Sequence, residues 1–340
     1  MHHDTPTSDT PTSDDTRRST GSRAFPSLDP AAVELISALS NRPRTIPPRW
    51  LYDERGSDLF TEITRLDEYY QTETERRILA DHATVIAETT EPSVVVELGS
   101  GTSDKTTSLL DAFVAHGTIE RFVPLDVSEE TLAAAADVLS ERYPDLVVAP
   151  VAGDFTSGLK RVADSTDDAA GSRLVLFLGG TIGNFYVEQR AAFLGALADV
   201  LDSGDHVLIG IDTIKPIERL IEAYDDPAGV TEAFIRNALV HINRELDGDL
   251  DVGGFEYVPF WDPRHHRIDM RLRACEPMDA RITALGLDLH IDAGEELRVE
   301  ISTKFDPERF GDELVDAGFA RPVVIQDDDT DFAVLIAERR

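Results

Sequence analysis

The sequence predicts an α/β fold: a mostly parallel sheet with helices between its strands. Three observations carry this expectation. Val94-Val95-Val96, with Leu98 just beyond, forms a run suited to a strand covered on both faces. It leads into Gly99-Ser100-Gly101, where glycine lets the backbone turn sharply and approach a ligand. From there to about position 212, apolar runs alternate with helical stretches, as right-handed crossovers between parallel strands require.

Taken in order, residues 1–25 contain the near-repeat Thr5-Pro6-Thr7-Ser8-Asp9-Thr10-Pro11-Thr12-Ser13-Asp14 and few large apolar groups, which predicts a disordered acidic tail. His2 and His3 have no companions for a metal site. From Asp29 to about Thr90 the spacing is helical, with Ala32, Leu35, Ile36 and Leu39 on one face, a break at Pro47-Pro48, and a capping-box-like Thr72-Glu73-Thr74-Glu75. The tyrosines here suit core packing as well as a site. Thr102, Ser103 or Asp104 is expected to cap the helix after the glycine turn.

Strand two is Phe122-Val123-Pro124-Leu125-Asp126-Val127; strand three runs from Leu146 through Val151 to Gly153-Asp154-Phe155. Strand four, Leu174 to Leu178, ends at Gly179-Gly180-Thr181-Ile182-Gly183-Asn184, and strand five is Val207-Leu208-Ile209-Gly210-Ile211-Asp212. Each ends in glycine, an acid or an amide, on the edge where open α/β sheets bind ligands. After Pro216 the alternation stops. Helical text to about Leu246 precedes strand-like segments near 255–258, 267–272 and 297–302, which read as an inserted second domain. A helix through Leu314 and strands at 323–325 and 332–336 complete the first sheet.

Asp+Glu 65 against Lys+Arg 32 gives a net charge of −33. Such a surface repels nucleic-acid phosphates, and its even spread suits a salt-rich cytoplasm, where molar salt shortens the screening length to about 3 Å. No apolar run reaches the ~18 residues of a membrane span, so a cytoplasmic monomer without membrane or nucleic-acid partners is expected. The lone Cys275 reads as a semi-buried small residue, and no metal site is expected.

The glycine loop lacks the third glycine of a dinucleotide fingerprint: Asp104 stands there and would repel a pyrophosphate. Glu97 at the strand end and Asp126, 25 residues on, suit a cationic adenosyl ligand, S-adenosylmethionine, with Asp126 on ribose and Asp154-Phe155 at adenine. Loops with no ligand remain the plain alternative.

Tyr52-Asp53, Gly56-Ser57-Asp58-Leu59-Phe60, Glu68-Tyr69-Tyr70, Glu97-Leu98-Gly99-Ser100-Gly101-Thr102-Ser103, Gly153-Asp154-Phe155, Thr181-Ile182-Gly183-Asn184, Ala223-Tyr224-Asp225-Asp226 and Glu300-Ile301-Ser302-Thr303-Lys304-Phe305 together resemble the L-histidine Nα-methyltransferases of ergothioneine biosynthesis. The likeness runs from about residue 40 to the C-terminus, departing at Gly180 and Thr303, where serine and cysteine are expected. It implies a Rossmann-like class I methyltransferase sheet with a second, discontinuous α+β substrate-binding domain, divided as 26–74 with 215–304 for substrate and 75–214 with 305–340 for S-adenosylmethionine, and three methyl transfers from S-adenosylmethionine to the α-amine of histidine, giving hercynine. By matched position it implies Gly99, Lys105, Asp126, Asp154 and Phe155 at the cofactor. Tyr69, Asn184, Tyr224, Met270, Glu300 and Ser302 fall to histidine, with Tyr52 and Asn184 at the amine, Tyr224 donating to the carboxylate and Glu300 accepting from the ring N–H. Two alternatives stand beside it: another acceptor such as tryptophan, or a sensor that binds S-adenosylmethionine without turnover.

Overall fold

The computed structural model describes residues 1–2, 29–154, 158–161 and 171–340. Most of the expected N-terminal tail, and Phe155, lie outside the described residues. Helix α1 (Pro30–Ser40) is capped by Asp29, whose carboxylate accepts from Ala31 N at 3.2 Å. After it come a two-residue strand, β1 (Arg44–Thr45), and a 3₁₀ turn over Pro48–Leu51. Helix α2 (Glu54–Ile63) is capped by Asp53 through Gly56 N at 2.8 Å. Helix α3 (Tyr70–Thr90) starts ahead of the expected capping box, with Tyr69 at its N-cap. Glu75 is therefore not a capping residue; it sits inside the helix, fully buried.

Strand β2 (Pro92–Leu98) is buried at every position, as its β-branched run requires. Helix α4 (Thr107–His116) begins later than expected: Thr106 occupies the N-cap without a side-chain bond to the helix backbone, and Thr102, Ser103 and Asp104 belong to the loop. Then follow β3 (Arg121–Asp126), α5 (Glu129–Arg142), β4 (Val147–Val148) and β5 (Val151–Ala152). The expected third strand is thus split; both pieces pair with β3, and Pro150, which has no N–H, stands between them. Beyond these lie β6 (Ser172–Phe177), a 3₁₀ turn over Thr181–Asn184, α6 (Val187–Val200) and β7 (His206–Asp212).

Next come α7 (Ile217–Glu222) and α8 (Val230–Leu246), then β8 (Phe255–Asp262), β9 (Arg267–Ala274), the hairpin β10 (Met278–Ile282) and β11 (Leu287–Ile291), and β12 (Glu296–Thr303). Helix α9 (Pro307–Asp316), β13 (Val323–Gln326) and β14 (Phe332–Glu338) return to the first sheet. Cys275 is exposed rather than semi-buried, because it lies in the turn after β9.

The main sheet runs β13-β14-β7-β6-β2-β3-β4, with β5 also on β3. It is parallel from β7 to β4, and β14 and β13 add antiparallel pairs. Chain order reverses between β2 and β6, the topological switch point where such sheets bind ligands. The smaller sheet, β1-β12-β9-β8, packs its inner face on α1, α2 and α8 to form a separate core containing Leu35, Leu59, Phe234, Leu239, Leu272 and Leu297. The two sheets touch where β12 ends: Phe305 N donates to Asp212 O at 2.8 Å and Ile214 N to Phe305 O at 3.1 Å. Gly183 is required at this junction, since a Cβ there would lie 2.8 Å from Thr303 O.

Gly210, inside β7, has a related explanation. A Cβ at this position would stand 2.0 Å from Glu75 Oε1. Glu75 enters the sheet through that gap and accepts from Gly179 N at 2.9 Å and from Lys105 Nζ at 2.7 Å. Gly210→Ala is therefore expected to push a buried, paired carboxylate out of place and to cost about 3 kcal/mol, read as a lower denaturant midpoint at unchanged slope.

Candidate active site

The glycine loop after β2 stands at the switch point beside the 179–184 loop after β6. Gly99 and Gly101 have φ of 70° and 51°, in the left-handed region that glycine adopts without strain. Gly99 N and Ser100 N both donate to Leu125 O, at 2.7 and 3.0 Å, and Gly101 N donates to Asp126 Oδ2 at 2.9 Å. Asp126 Oδ1 accepts from Ser128 N at 3.1 Å. Asp126 thus clamps the loop through one oxygen and its own helix through the other, each with lone pairs to spare. Asp154 follows β5, beside the end of β3.

Glu97 and Ser100 supply the test of what fits above this loop. Glu97 Oε1 accepts from Thr106 Oγ1 at 2.5 Å, while Glu97 Oε2 and Ser100 Oγ are buried with no partner. Burial pushes the Glu97 carboxyl up to about 7, against the pull of Thr106. Unfilled polar atoms among carboxylates fit a hydroxyl-bearing, cationic adenosyl ligand and not a polyphosphate. Lys105, expected at the cofactor, joins the loop to Glu75 of α3 and so fixes the loop against the end of β6.

The second group of residues is assembled by β12. A bulge between Arg298 and Glu300 breaks the alternation: Arg298 pairs with Arg271 on the charged face, but Glu300 pairs with Met270 on the inner face. Without the bulge, Glu300 would follow Arg298 outward. With it, Glu300, Ser302 and Lys304 all turn inward, at 5%, 6% and 2% exposure. Glu300 Oε1 accepts from Ile301 N at 3.1 Å, and its buried Oε2 has no partner. Burial pushes this carboxyl up to about 8.

Around it stand the tyrosines. Tyr69 meets the Tyr224 ring edge-on, with centroids 6.0 Å apart. Tyr52 packs edge-on against Phe60 and Phe234 and is 38% exposed. Surrounding protein first, and the Glu300 carboxylate second, hold the Tyr52 hydroxyl well above the usual phenol range; Tyr69, Asp126 and Tyr224 add to the effect. Tyr52 therefore stands between the two groups. Asn184 closes the 3₁₀ turn after β6, and its side-chain amide makes no hydrogen bond among the described residues.

Composition and motif reading missed the layer behind these groups. Lys304 Nζ, fully buried, meets Asp212 Oδ2 at 2.7 Å, Tyr224 Oη at 2.8 Å and Ser302 Oγ at 2.8 Å. Asp212 also pairs with Lys215 and accepts from the Tyr70 hydroxyl at 3.0 Å; Gln71 Nε2 reaches Tyr224 Oη at 3.1 Å. Burial would raise the Asp212 carboxyl, but Lys304 and Lys215 outweigh it and hold the group below the usual carboxylate range. Tyr224 donates to Ser302 Oγ at 2.8 Å, so donation to a carboxylate, expected from the sequence, requires it to give up that bond. The lysine stood inside the quoted stretch Glu300 to Phe305 with no role assigned to it; its burial follows from the bulge, which no pattern announces.

Elsewhere, Asp327, Asp329 and Asp331 bring carboxylate oxygens within 4.8 Å of one another. Asp331 already pairs with Arg219, and Asp327 accepts from Phe332 N.

Residues 31–339 match the family described as histidine-specific methyltransferase, SAM-dependent. The histidine N-alpha-methyltransferase of Mycobacterium tuberculosis is 44% identical over 306 residues, covering 90% of this chain and 94% of the relative. That of Mycolicibacterium smegmatis gives the same figures. Ergothioneine biosynthesis protein 1 of Schizosaccharomyces pombe is 36% identical over 225 residues, covering 64% of this chain and 29% of that longer protein.

Proposed function

The chain belongs to the histidine-specific, S-adenosylmethionine-dependent methyltransferase family, and from that premise we propose that it methylates the α-amine of L-histidine three times, to hercynine, in ergothioneine biosynthesis. One observation of this chain carries the choice of acceptor. Glu300 offers a buried carboxylate oxygen with no partner beside the Ser302 hydroxyl, a pairing that suits a ring with both a donor and an acceptor nitrogen and leaves an indole or phenyl ring unsatisfied.

S-adenosylmethionine supplies an electrophilic methyl group on a sulfonium. Gly99, Lys105, Asp126, Asp154 and Phe155 would hold it, Asp126 by accepting from ribose hydroxyls and Lys105 through the loop that it ties to Glu75. The chain's remaining task is alignment of a neutral amine, since no covalent intermediate is needed. The free Asn184 amide accepts from the amine through its oxygen. Tyr52, kept protonated by its surroundings, holds the amine by hydrogen bonding and does not serve as its base. The amine's proton therefore leaves to solvent. Tyr69 and Tyr224 wall the site, Met270 lines the ring pocket opposite Glu300, and Ser302 meets the second ring nitrogen.

In this reading the substrate-binding part is 26–74 with 215–304, and the methyltransferase part is 75–214 with 305–340. Helix α3 crosses the first boundary and delivers Tyr69 and Tyr70 to one part and Glu75 to the other. The reading extends to a monomer in a salt-rich cytoplasm, the salt-rich setting supported by the charge of −33. Among the described residues, no helix is long and apolar enough to cross a membrane. Incubation with methyl-labelled S-adenosylmethionine and single amino acids, in about 0.1 M and about 2 M salt, tests all of this. Label in mono-, di- and trimethylated histidine is expected, with faster turnover in high salt; label only in tryptophan, or donor binding without transfer, would replace the reading with its alternatives.

A further inference from the structure

The Lys304 cluster can be followed proton by proton. The Lys304 ammonium has three N–H groups and three acceptors, Asp212 Oδ2, Tyr224 Oη and Ser302 Oγ, so it is saturated. Tyr224 Oη accepts from Lys304 and from Gln71 and gives its one proton to Ser302. Ser302 Oγ accordingly accepts twice, from Lys304 and Tyr224, which fills both of its lone pairs. Its own proton is left over, and it can only be donated. Were Tyr224 to turn toward a carboxylate, the ammonium 2.8 Å from Ser302 Oγ would still occupy one lone pair and repel a cationic ring beside it.

We propose that Lys304, clamped by Asp212, is a positioning residue that fixes the Ser302 hydroxyl as a donor, so that the site admits the neutral imidazole of histidine, its N–H on Glu300, and rejects the imidazolium. The proposal rests on the histidine reading above. The charged and titratable groups facing the cluster are Tyr52 from the 3₁₀ turn, Tyr69, Tyr70 and Glu75 from α3, Asp212 and Lys215 at the end of β7, Tyr224 after α7, and Glu300 from β12. Lys215 donates to Tyr70 at 2.7 Å and pairs with Asp212, so Asp212 keeps a cationic partner when Lys304 is replaced.

The test compares L-histidine with thiazolylalanine, whose ring has an acceptor nitrogen but stays uncharged. Calorimetric titration of the wild-type protein at pH 6.0, in buffers of different ionisation enthalpy, counts the protons released on binding. Histidine is expected to release about one and three quarters protons more than thiazolylalanine: about three quarters from an imidazole of pKa about 6.5, and about one from Glu300, which is protonated at this pH in the free protein and must ionise to accept the ring N–H. A difference of about three quarters of a proton or less would mean that the imidazolium binds, and would overturn the proposal without any variant. Next, KM for histidine at pH 5.5 relative to pH 7.5 is measured in wild type, Lys304→Met and Lys304→Gln, with donor binding and circular dichroism as checks of folding. The ring contributes a factor of about 10 to the wild-type ratio, and the ratio is expected to be about 3-fold or more smaller in whichever variant folds, because Ser302 can then accept from a protonated ring while the contributions of Glu300 and the amine stay the same. A parallel pH profile with KM merely displaced would assign Lys304 a structural role only. Absence of any transfer to histidine by the wild type would instead defeat the functional reading, a different result from either of these.

Discussion

Glu300→Ala is expected to lower kcat/KM for L-histidine about 10- to 100-fold, measured by initial rates of label transfer at saturating donor. Glu300 Oε2 is buried and without a partner, and in the proposed function the ring N–H of histidine is the donor that completes it. Losing one charge-assisted hydrogen bond costs about 1.5 to 3 kcal/mol, which is that range of kcat/KM. Unchanged histidine kinetics would remove Glu300 from the site. The same burial has an opposite consequence for stability. The carboxyl is pushed from its ordinary 4.5 up to about 8, so the unfolded chain releases this proton long before the folded one does. Between those pH values the folded state binds more protons, and its stability falls as pH rises; above about 8 the loss is complete and levels off. Linkage over that window amounts to about 5 kcal/mol. Glu300→Gln, which cannot ionise, is expected to be more stable than wild type by up to that amount at pH 8.5 and to lie near parity at pH 4.5, while losing histidine affinity.

That opposition explains what could be read from the sequence and what could not. The main sheet was legible because parallel strands buried on both faces must be written in continuous apolar runs, as Val94-Val95-Val96 is, and because their ends carry the glycines and acids of the ligand edge. The acceptor side was legible only through resemblance. An acid at 300, two positions from Arg298, alternates outward on any strand pattern, and only the bulge between them turns it in. Lys304 and Ser302 follow Glu300 across to the inner face for the same reason. Glu75 was misread as a cap because a local motif can describe one helix turn but not the Gly210 gap into which that turn projects. The split of the third strand was foreseeable at Pro150, whereas the hairpin of β10 and β11 carries no signal beyond short alternation.

On the donor side, Asp126→Ala is expected to raise KM for S-adenosylmethionine about 100-fold, with a smaller fall in kcat at saturating donor. Two contributions add. In the proposed function this carboxylate accepts from both ribose hydroxyls, and each charge-assisted bond is worth about 1.5 to 3 kcal/mol. Asp126 also holds the glycine loop through Gly101 N at 2.9 Å, so its removal loosens the backbone that approaches the ligand. Overlap between the two keeps the total nearer 3 than 6 kcal/mol. Asp126→Asn separates them. The amide oxygen can still take Gly101 N, which preserves the loop, but the charge is gone and only one acceptor remains, so a rise of about 10-fold is expected. Equal effects of the two substitutions would locate the whole contribution in the charge. An Asn variant indistinguishable from wild type would make Asp126 a loop clamp alone, and the ribose would then have to be held from Asp154 and the unpartnered Ser100 hydroxyl.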